Sequence, residues 1–174
     1  MYVTAYRVDM GNGKSHYSAR LTSATGCLES YWLTYQYAYD FVWTSATVIR
    51  TSAVLKAGLF RPGEKIGQDL DLWSRVARNN PKVAYSSEVC VNYHRMAEAN
   101  ARTRVKVAKA DAFIKNLEEE LEDSAHSKEE LAMIQRKYNM KMTVYIYTSI
   151  LAGNKAEARE AMKRWKGQLS RKAK

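Results

Sequence analysis

A chain of 174 residues with 46% hydrophobic content is one domain's worth and long enough to bury a core. Its net charge of +10 directs it toward anionic partners: nucleic acid, the phosphates of a nucleotide-sugar, or an anionic membrane surface. Cys27 and Cys90 stand far apart without metal-ligand spacing, which argues against a zinc site or a disulfide framework and fits a reducing cytosol. No secretory leader is evident, and no apolar run approaches the ~20 residues that span a bilayer.

Taken in order, residues 1–20 predict a β-hairpin. Tyr2–Val8 is rich in β-branched and aromatic residues, Asp9–Lys14 is a turn, and Ser15–Arg20 returns. A chain that starts in a strand leaves an unpaired edge near residues 2–8, a route to a homo-oligomer. Residues 21–27 read as a polar loop. Leu28–Tyr39 is dense in aromatics, and helix and strand readings both stand; the helix would carry Leu28, Trp32, Tyr35 and Tyr39 on one side. Asp40–Arg50 reads as extended, and Thr51–Ala57 as a short helix with Thr51 at its N-cap and Gly58 as a left-handed C-cap. A helix from Gln68 or Asp69 ends at Asn79-Asn80-Pro81. Lys82–Tyr85 and Glu88–His94 follow as two short strands.

From about residue 101 the pattern is helical only. Ala110, Phe113, Ile114, Leu117 and Leu121 form an apolar stripe that ends in an acidic cluster, Glu118–Glu120 with Glu122 and Asp123. Ser127 and Glu130 have capping-box spacing. Leu131, Ile134, Tyr138, Met142, Tyr145 and Ser149 continue the next helix, which Gly153 can end; Asn154 and Glu157 suggest a further N-terminus before Ala156–Trp165. Lys155–Lys174 holds eight basic residues against Glu157 and Glu160, a net of +6. Two readings stand for it: a solvated helix face, or contact with an anionic membrane surface.

The stretch Gly58–Arg75 organises the chain. Gly58-Leu59-Phe60 leads into a loop broken at Pro62-Gly63 and Gly67, and Leu72, Trp73 and Val76 share one helix face. Asp69 falls in that helix's first turn, where a carboxylate is favoured and can be a cap and nothing more. Thr44–Arg50, Gly58-Leu59-Phe60, Gln68-Asp69-Leu70-Asp71-Leu72-Trp73-Ser74-Arg75 and Val91-Asn92-Tyr93-His94-Arg95 together resemble, in order and spacing, the C-terminal part of the catalytic domain of family 2 glycosyltransferases, inverting enzymes with a GT-A fold. The resemblance covers roughly residues 1–100. It implies that Asp69 is the general base that deprotonates the acceptor hydroxyl. Gln68 departs from the family's usual Glu, keeping the shape and losing the charge. The resemblance also implies acceptor contacts from Trp43, Thr44 and Ser45, with Trp43 equally readable as a core aromatic. His94 and Arg95 are readable either as an edge pair facing water or as donor-phosphate ligands. Arg75 and Trp73 would support the base helix, Arg75 also lying at bridging distance, i+4, from Asp71.

Asp69-Leu70-Asp71 spells the Asp-x-Asp that holds a divalent metal in GT-A enzymes, but there the motif follows an apolar strand. Here it enters a helix, which leaves Asp71 solvated or paired and assigns no metal to this chain. The Mn²⁺ or Mg²⁺ expected for the full-length enzyme would belong with an N-terminal donor-binding half whose phosphate loop and βαβ run this sequence lacks. The expectation is an α/β fold: a partial GT-A-like mixed sheet over residues 1–100 and a helical extension over 101–174. Its function would be that of a C-terminal portion of a nucleotide-sugar-dependent transferase of the cell-envelope or polysaccharide type, inactive alone. Its location would be cytoplasmic, including the inner face of a membrane. The alternative is a basic, tyrosine-rich binding module for nucleic acid or anionic surfaces; no RRM, KH or helix-turn-helix signature supports the nucleic-acid form.

Overall fold

A computed structural model describes residues 1–18, 23–38, 40–95 and 111–172, with side chains as far as residue 166. Its elements are β1 (Tyr2–Asp9), β2 (Ser15–Tyr17), β3 (Thr25–Leu28), 3-10 helices at Trp32–Gln36 and Thr44–Ala46, β4 (Thr47–Val48), α1 (Thr51–Lys56), α2 (Gln68–Asn79), β5 (Val83–His94), α3 (Ala112–Glu122), α4 (Lys128–Leu151) and α5 (Lys155–Lys172). The fold is mixed α/β. It divides into two compact units, Met1–Arg61 with Leu72–Arg104, and Pro62–Asp71 with Val105–Lys174. The loop before α2 and that helix's first turn thus group with the C-terminal helices, a partition that a boundary near residue 100 does not anticipate. Tyr39 and Ala110, which the sequence places on apolar helix faces, lie outside the described residues.

In the first unit the sheet order is β2-β1-β5-β3, with β4 also on β1. β1 and β5 are parallel, Tyr2 opposite Ala84 and Asp9 opposite His94, and the other pairings are antiparallel. The hairpin forms as its turn residues predict, with Arg7 opposite Tyr17 and Asp9 opposite Ser15. The expected free edge at residues 2–8 is corrected: β1 is an inner strand. β4 covers Tyr2 and Val3 on one side, β2 covers Arg7–Asp9, and between them Tyr6 N–H donates to Ser18 Oγ while Ser18 N–H donates to the Tyr6 carbonyl, each at 3.0 Å. The long excursion through α1 and α2 returns β5 parallel along the other side, as a parallel partner requires. The two expected strands at 82–94 are one. Its register against β1 shifts at Thr4, Ala5 and Tyr6, and Ser86 Oγ accepts the Glu88 N–H at 3.1 Å where the strand bulges.

The aromatic stretch 28–39 becomes the end of β3 and a single 3-10 turn. Thr34 Oγ1 donates to the Tyr31 carbonyl (2.6 Å) and Ser30 Oγ accepts the Trp32 N–H (3.2 Å), tightening the backbone. That turn stacks Tyr31, Trp32 and Tyr35 edge to face in the core, and the Tyr31 and Tyr35 hydroxyls meet at 2.9 Å. Of the extended segment expected at 40–50 only Thr47–Val48 is strand, because the Trp43 carbonyl takes both the Ala46 N–H and the Thr47 hydroxyl. α1 is capped by Arg50, in extended conformation and without a side-chain bond, rather than by Thr51. Its C-terminus is as expected at Gly58 (φ 84°). Gly58 N–H donates to the Leu55 carbonyl (3.1 Å) and Leu59 N–H to the Val54 carbonyl (3.2 Å), the paired bonds of a Schellman end.

Among its described residues the second unit holds α3, α4 and α5 beside the first turn of α2. Asp111 caps α3, accepting the Ile114 N–H at 2.9 Å. The capping box of α4 is complete, with Ser127 N–H on the Glu130 carboxylate (2.9 Å) and Glu130 N–H on Ser127 Oγ (3.2 Å). Phe113, Ile114, Leu117, Ile134, Tyr138 and Met142 are all buried between them. Glu118 of α3 ties the set together, accepting the Tyr138 hydroxyl from α4 (3.0 Å) and Arg164 from α5 (2.5 Å).

Burial, and then the neighbouring Glu118 charge, push the Tyr138 hydroxyl above the ordinary tyrosine range. A pKa raised by folding contributes stability that is complete below about 10 and is lost as pH climbs through the folded value. Urea titrations between pH 8 and 11 should therefore show falling stability on the alkaline side, with a shallower fall in Tyr138→Phe. Ser127→Ala should cost about 1 kcal/mol at neutral pH in the same titration.

Candidate active site

α2 forms where a left-handed glycine releases the chain into an acid-rich first turn. Gly67 has φ 74°, and its carbonyl accepts the Asp71 N–H at 2.9 Å. Asp69 and Asp71 occupy the first turn, where the helix dipole favours negative charge. Leu72, Trp73, Val76 and Ala77 are buried and hold the helix in place. The end falls where the sequence puts it, with Asn80 N–H on the Val76 carbonyl (3.1 Å) ahead of Pro81.

Asp69 is half-buried, with Oδ1 accepting the Leu70 N–H at 2.8 Å; Gln68 beside it is half-buried as well. Of the two readings for Asp71, solvated or paired, the solvated one does not hold: Asp71 is fully buried, as is every residue from 71 to 77 except Arg75. Two residues apart on a helix, Asp69 and Asp71 lie about 200° apart. One is at the surface boundary and the other inside, so the pair does not fit a shared divalent metal.

Arg75 supports the helix pair. Its guanidinium donates to the Ala57 carbonyl and, at 2.7 Å, to that of Leu59, the carbonyls at the end of α1. Trp73 packs edge-on against Phe60 at 6.4 Å, and Phe60 itself stays half exposed.

Trp43 lies in the first unit, stacked on Tyr6 (5.5 Å, 28°) and against Tyr93 (4.8 Å), with Thr44 and Ser45 exposed beside it. Both roles read for Trp43 are thus compatible with its place, since it is packed on two rings and half-exposed. The Tyr6 hydroxyl donates to the Asp40 carbonyl at 2.6 Å; burial first, then the Asp40 charge, raise it above the tyrosine range. His94 and Arg95 are exposed at the end of β5. His94 Nδ1 meets Asp9 Oδ2 at 3.2 Å, and the Asp9 carboxyl is held below its ordinary value, chiefly by the Gly11 N–H and then by His94. Val8 is level with Tyr93 and Asp9 with His94, so Tyr93 with Trp43 and His94 with Asp9 occupy opposite faces of the sheet.

The structure therefore brings Trp43, Tyr6 and Tyr93 into one cluster and His94, Asp9 and Arg95 into another, the Arg95 N–H bonding the Asp9 carbonyl at 3.0 Å. Gln68 and Asp69 belong to the second unit. The partners Tyr6, Tyr93 and Asp9 are missed by sequence reasoning. Their signal is the strand alternation of β1 and β5, which becomes readable only once the two strands are known to be paired and in which register.

The loop ahead of Asp69 is pinned within the second unit. Glu64 pairs with Lys115 at 3.2 Å, and the Asp111 carboxylate takes Lys141 at 3.2 Å while pressing on Gly67. A groove of about 520 Å³ opens here, lined by Pro62, Glu64, Lys115, Tyr145, Glu157 and Arg164 among others; Asp69 is not part of its wall. Among the described residues, Glu120, Asp123 and His126 bring possible ligand atoms within 4.8 Å of one another. Their geometry is that of a helix–helix turn: His126 bonds Glu120 at 2.7 Å and Asp123 accepts the Ala125 N–H at 2.9 Å.

Comparison with protein-family models, with curated proteins and with solved structures found no match to this chain.

A Cβ at Gly67 would stand 2.9 Å from Asp111 Cγ, whereas one at Gly63 (φ 80°) would meet nothing within 4 Å. Gly63→Ala should cost only the left-handed penalty, about 1–2 kcal/mol. Gly67→Ala should cost visibly more in the same denaturation experiment and should shift the backbone resonances of Gln68 and Asp69.

Proposed function

We propose that this chain carries the base-bearing part of an inverting glycosyltransferase, which moves a sugar from a nucleotide-sugar donor to a hydroxyl acceptor of a cell-envelope or polysaccharide kind. The observation that supports the reading is the assembly around α2. A short helix ends in Gly58-Leu59-Phe60, a glycine-broken loop leads to Asp69 in the first turn of α2, Arg75 fastens α2 to the end of α1, and β5 closes on Tyr93-His94-Arg95. These segments are the ones that carry the family 2 resemblance.

In this reading the half-buried Asp69 carboxylate takes the acceptor's proton as the hydroxyl oxygen attacks the anomeric carbon. The C–O bond forms on one face while the nucleoside diphosphate leaves from the other with the bonding electrons, which inverts the centre. Gln68 flanks the base without a second charge. The resemblance also implies acceptor contacts from Trp43, Thr44 and Ser45; in the first unit the Trp43 ring is half-exposed with both hydroxyl-bearing residues exposed beside it, features that suit a sugar. Arg95 and His94, exposed at the end of β5, are the candidates for a donor phosphate, the guanidinium offering the geometry that suits one. Such enzymes use Mn²⁺ or Mg²⁺ on the donor diphosphate. Asp69 and Asp71 do not fit that ion, and no step here is routed through it.

Asp69→Asn, tested in the transferase assembled with its donor-binding part, should lower kcat about 10²–10⁴-fold and leave donor affinity unchanged. Turnover at the wild-type rate would remove Asp69 from the base role. Calorimetric titration of the present chain with UDP and a UDP-sugar should give no binding heat with or without Mn²⁺. Micromolar, metal-dependent binding would instead relocate the donor site into these residues.

A further inference from the structure

α4 is apolar on two sides. Ile134, Tyr138, Met142 and Tyr145 are buried within the helical unit. A second stripe, Met140, Val144, Tyr147 and Leu151, follows at helical spacing, and its last three residues are 54%, 61% and 69% exposed. Ile150 is also exposed, at 55%. The exposed apolar side chains gather at the end of the α4–α5 hairpin, where Ala152 and Gly153 are exposed too and Gly153 (φ 77°) turns the chain. Across that turn α5 presents cations on one face: Lys155, Arg159, Lys163 and Lys166, all exposed and spaced four, four and three residues apart, with half-exposed Met162 among them. Of the acidic residues on α5, Glu157 is drawn inward toward the Tyr145 hydroxyl (3.4 Å) and Glu160 is exposed, off the cationic face.

We propose that the end of the α4–α5 hairpin docks on an anionic lipid bilayer, with Tyr147, Ile150 and Leu151 entering the headgroup–acyl boundary and Lys155 and Arg159 pairing with lipid phosphates. The pattern is that of an interfacial element, apolar side chains next to lysine and arginine. Tyr147 and Arg159 each lie four residues, about 6 Å of helix, from Leu151 and Lys155 at the turn, so the apolar and cationic groups reach one surface together. Charge complementarity selects this occupant over a second copy of the chain: two-fold pairing of hairpin ends would set Lys155 and Arg159 of one copy against those of the other. No described helix is long and apolar enough to cross a membrane, so the contact would be with the surface. The inference does not depend on the transferase reading.

The test is co-sedimentation of the full chain with large unilamellar vesicles of phosphatidylcholine and phosphatidylglycerol (2:1) or of phosphatidylcholine alone. Binding is expected to the anionic vesicles only. Ile150→Ser/Leu151→Ser should weaken it on the order of tenfold or more with the circular dichroism spectrum unchanged. Lys155→Glu/Arg159→Glu should do the same, and 0.5 M salt should reduce binding by the wild type. Absence of binding overturns the proposal. So does wild-type binding by the double serine variant, which would mean that net charge alone is responsible. A concentration-dependent dimer abolished by the serine pair, without vesicle binding, would assign the face to a second copy and overturns it as well. Loss of vesicle binding leaves Asp69-dependent transfer unaffected, so failure here and failure of the transferase reading are separate results.

Discussion

The placement of the candidate base depends on one close contact. Gly67 holds a left-handed conformation with its Cα against the Asp111 carboxylate, which at the same time caps α3 and binds Lys141 of α4. No side chain fits between them. The carboxylate therefore joins three pieces of chain that are distant in sequence: the entry to α2, the start of α3 and the middle of α4. Asp69 begins two residues after that glycine. Its backbone position is set by helices that contribute nothing to the resemblance on which its role was first read, and the unit boundary before Leu72 expresses the same coupling.

Local rules carried much of the fold. The capping box at Ser127 and Glu130, the Gly58 helix end and the span of α2 each depend on residues within a few positions of one another, and each forms as written. What failed depends on partners far along the chain. β1 reads as an edge because its parallel neighbour arrives only after residue 82. The interruption at Ser86–Glu88 reads as a strand break because the bulge exists only relative to β1. The solvated alternative for Asp71 fails because amphipathicity assigns one buried face to a helix, and residues 71–77 of α2 are buried except for Arg75. At Leu28–Tyr39 both regular readings yield to side-chain bonds from Ser30 and Thr34, which bend the backbone into a form that neither periodicity describes.

The candidate site shows the same division. The resemblance implies a supporting role for Arg75, and its guanidinium bonds the carbonyls at the end of α1. Grouping Trp43 with His94 was beyond sequence, because it turns on register. One residue of slip in β5 would have put His94 beside Trp43; the observed pairing puts Tyr93 there and gives His94 to Asp9. The same pairing sets Trp43 among packed aromatics, Tyr6 on one side and Tyr93 on the other.

The two apolar sides of α4 bear on how the helical unit is built. A helix with one apolar stripe is accounted for by its neighbours, and here α3 and α5 account for Tyr138, Met142 and Tyr145 through packing and through Glu118. The Glu118 tie is polar and directional, so it fixes which side of α4 faces inward and rejects a rotated packing in which Tyr147 and Leu151 would be covered instead. The second stripe is left exposed at the end of the α4–α5 hairpin, where the α5 cations Lys155 and Arg159 are exposed as well.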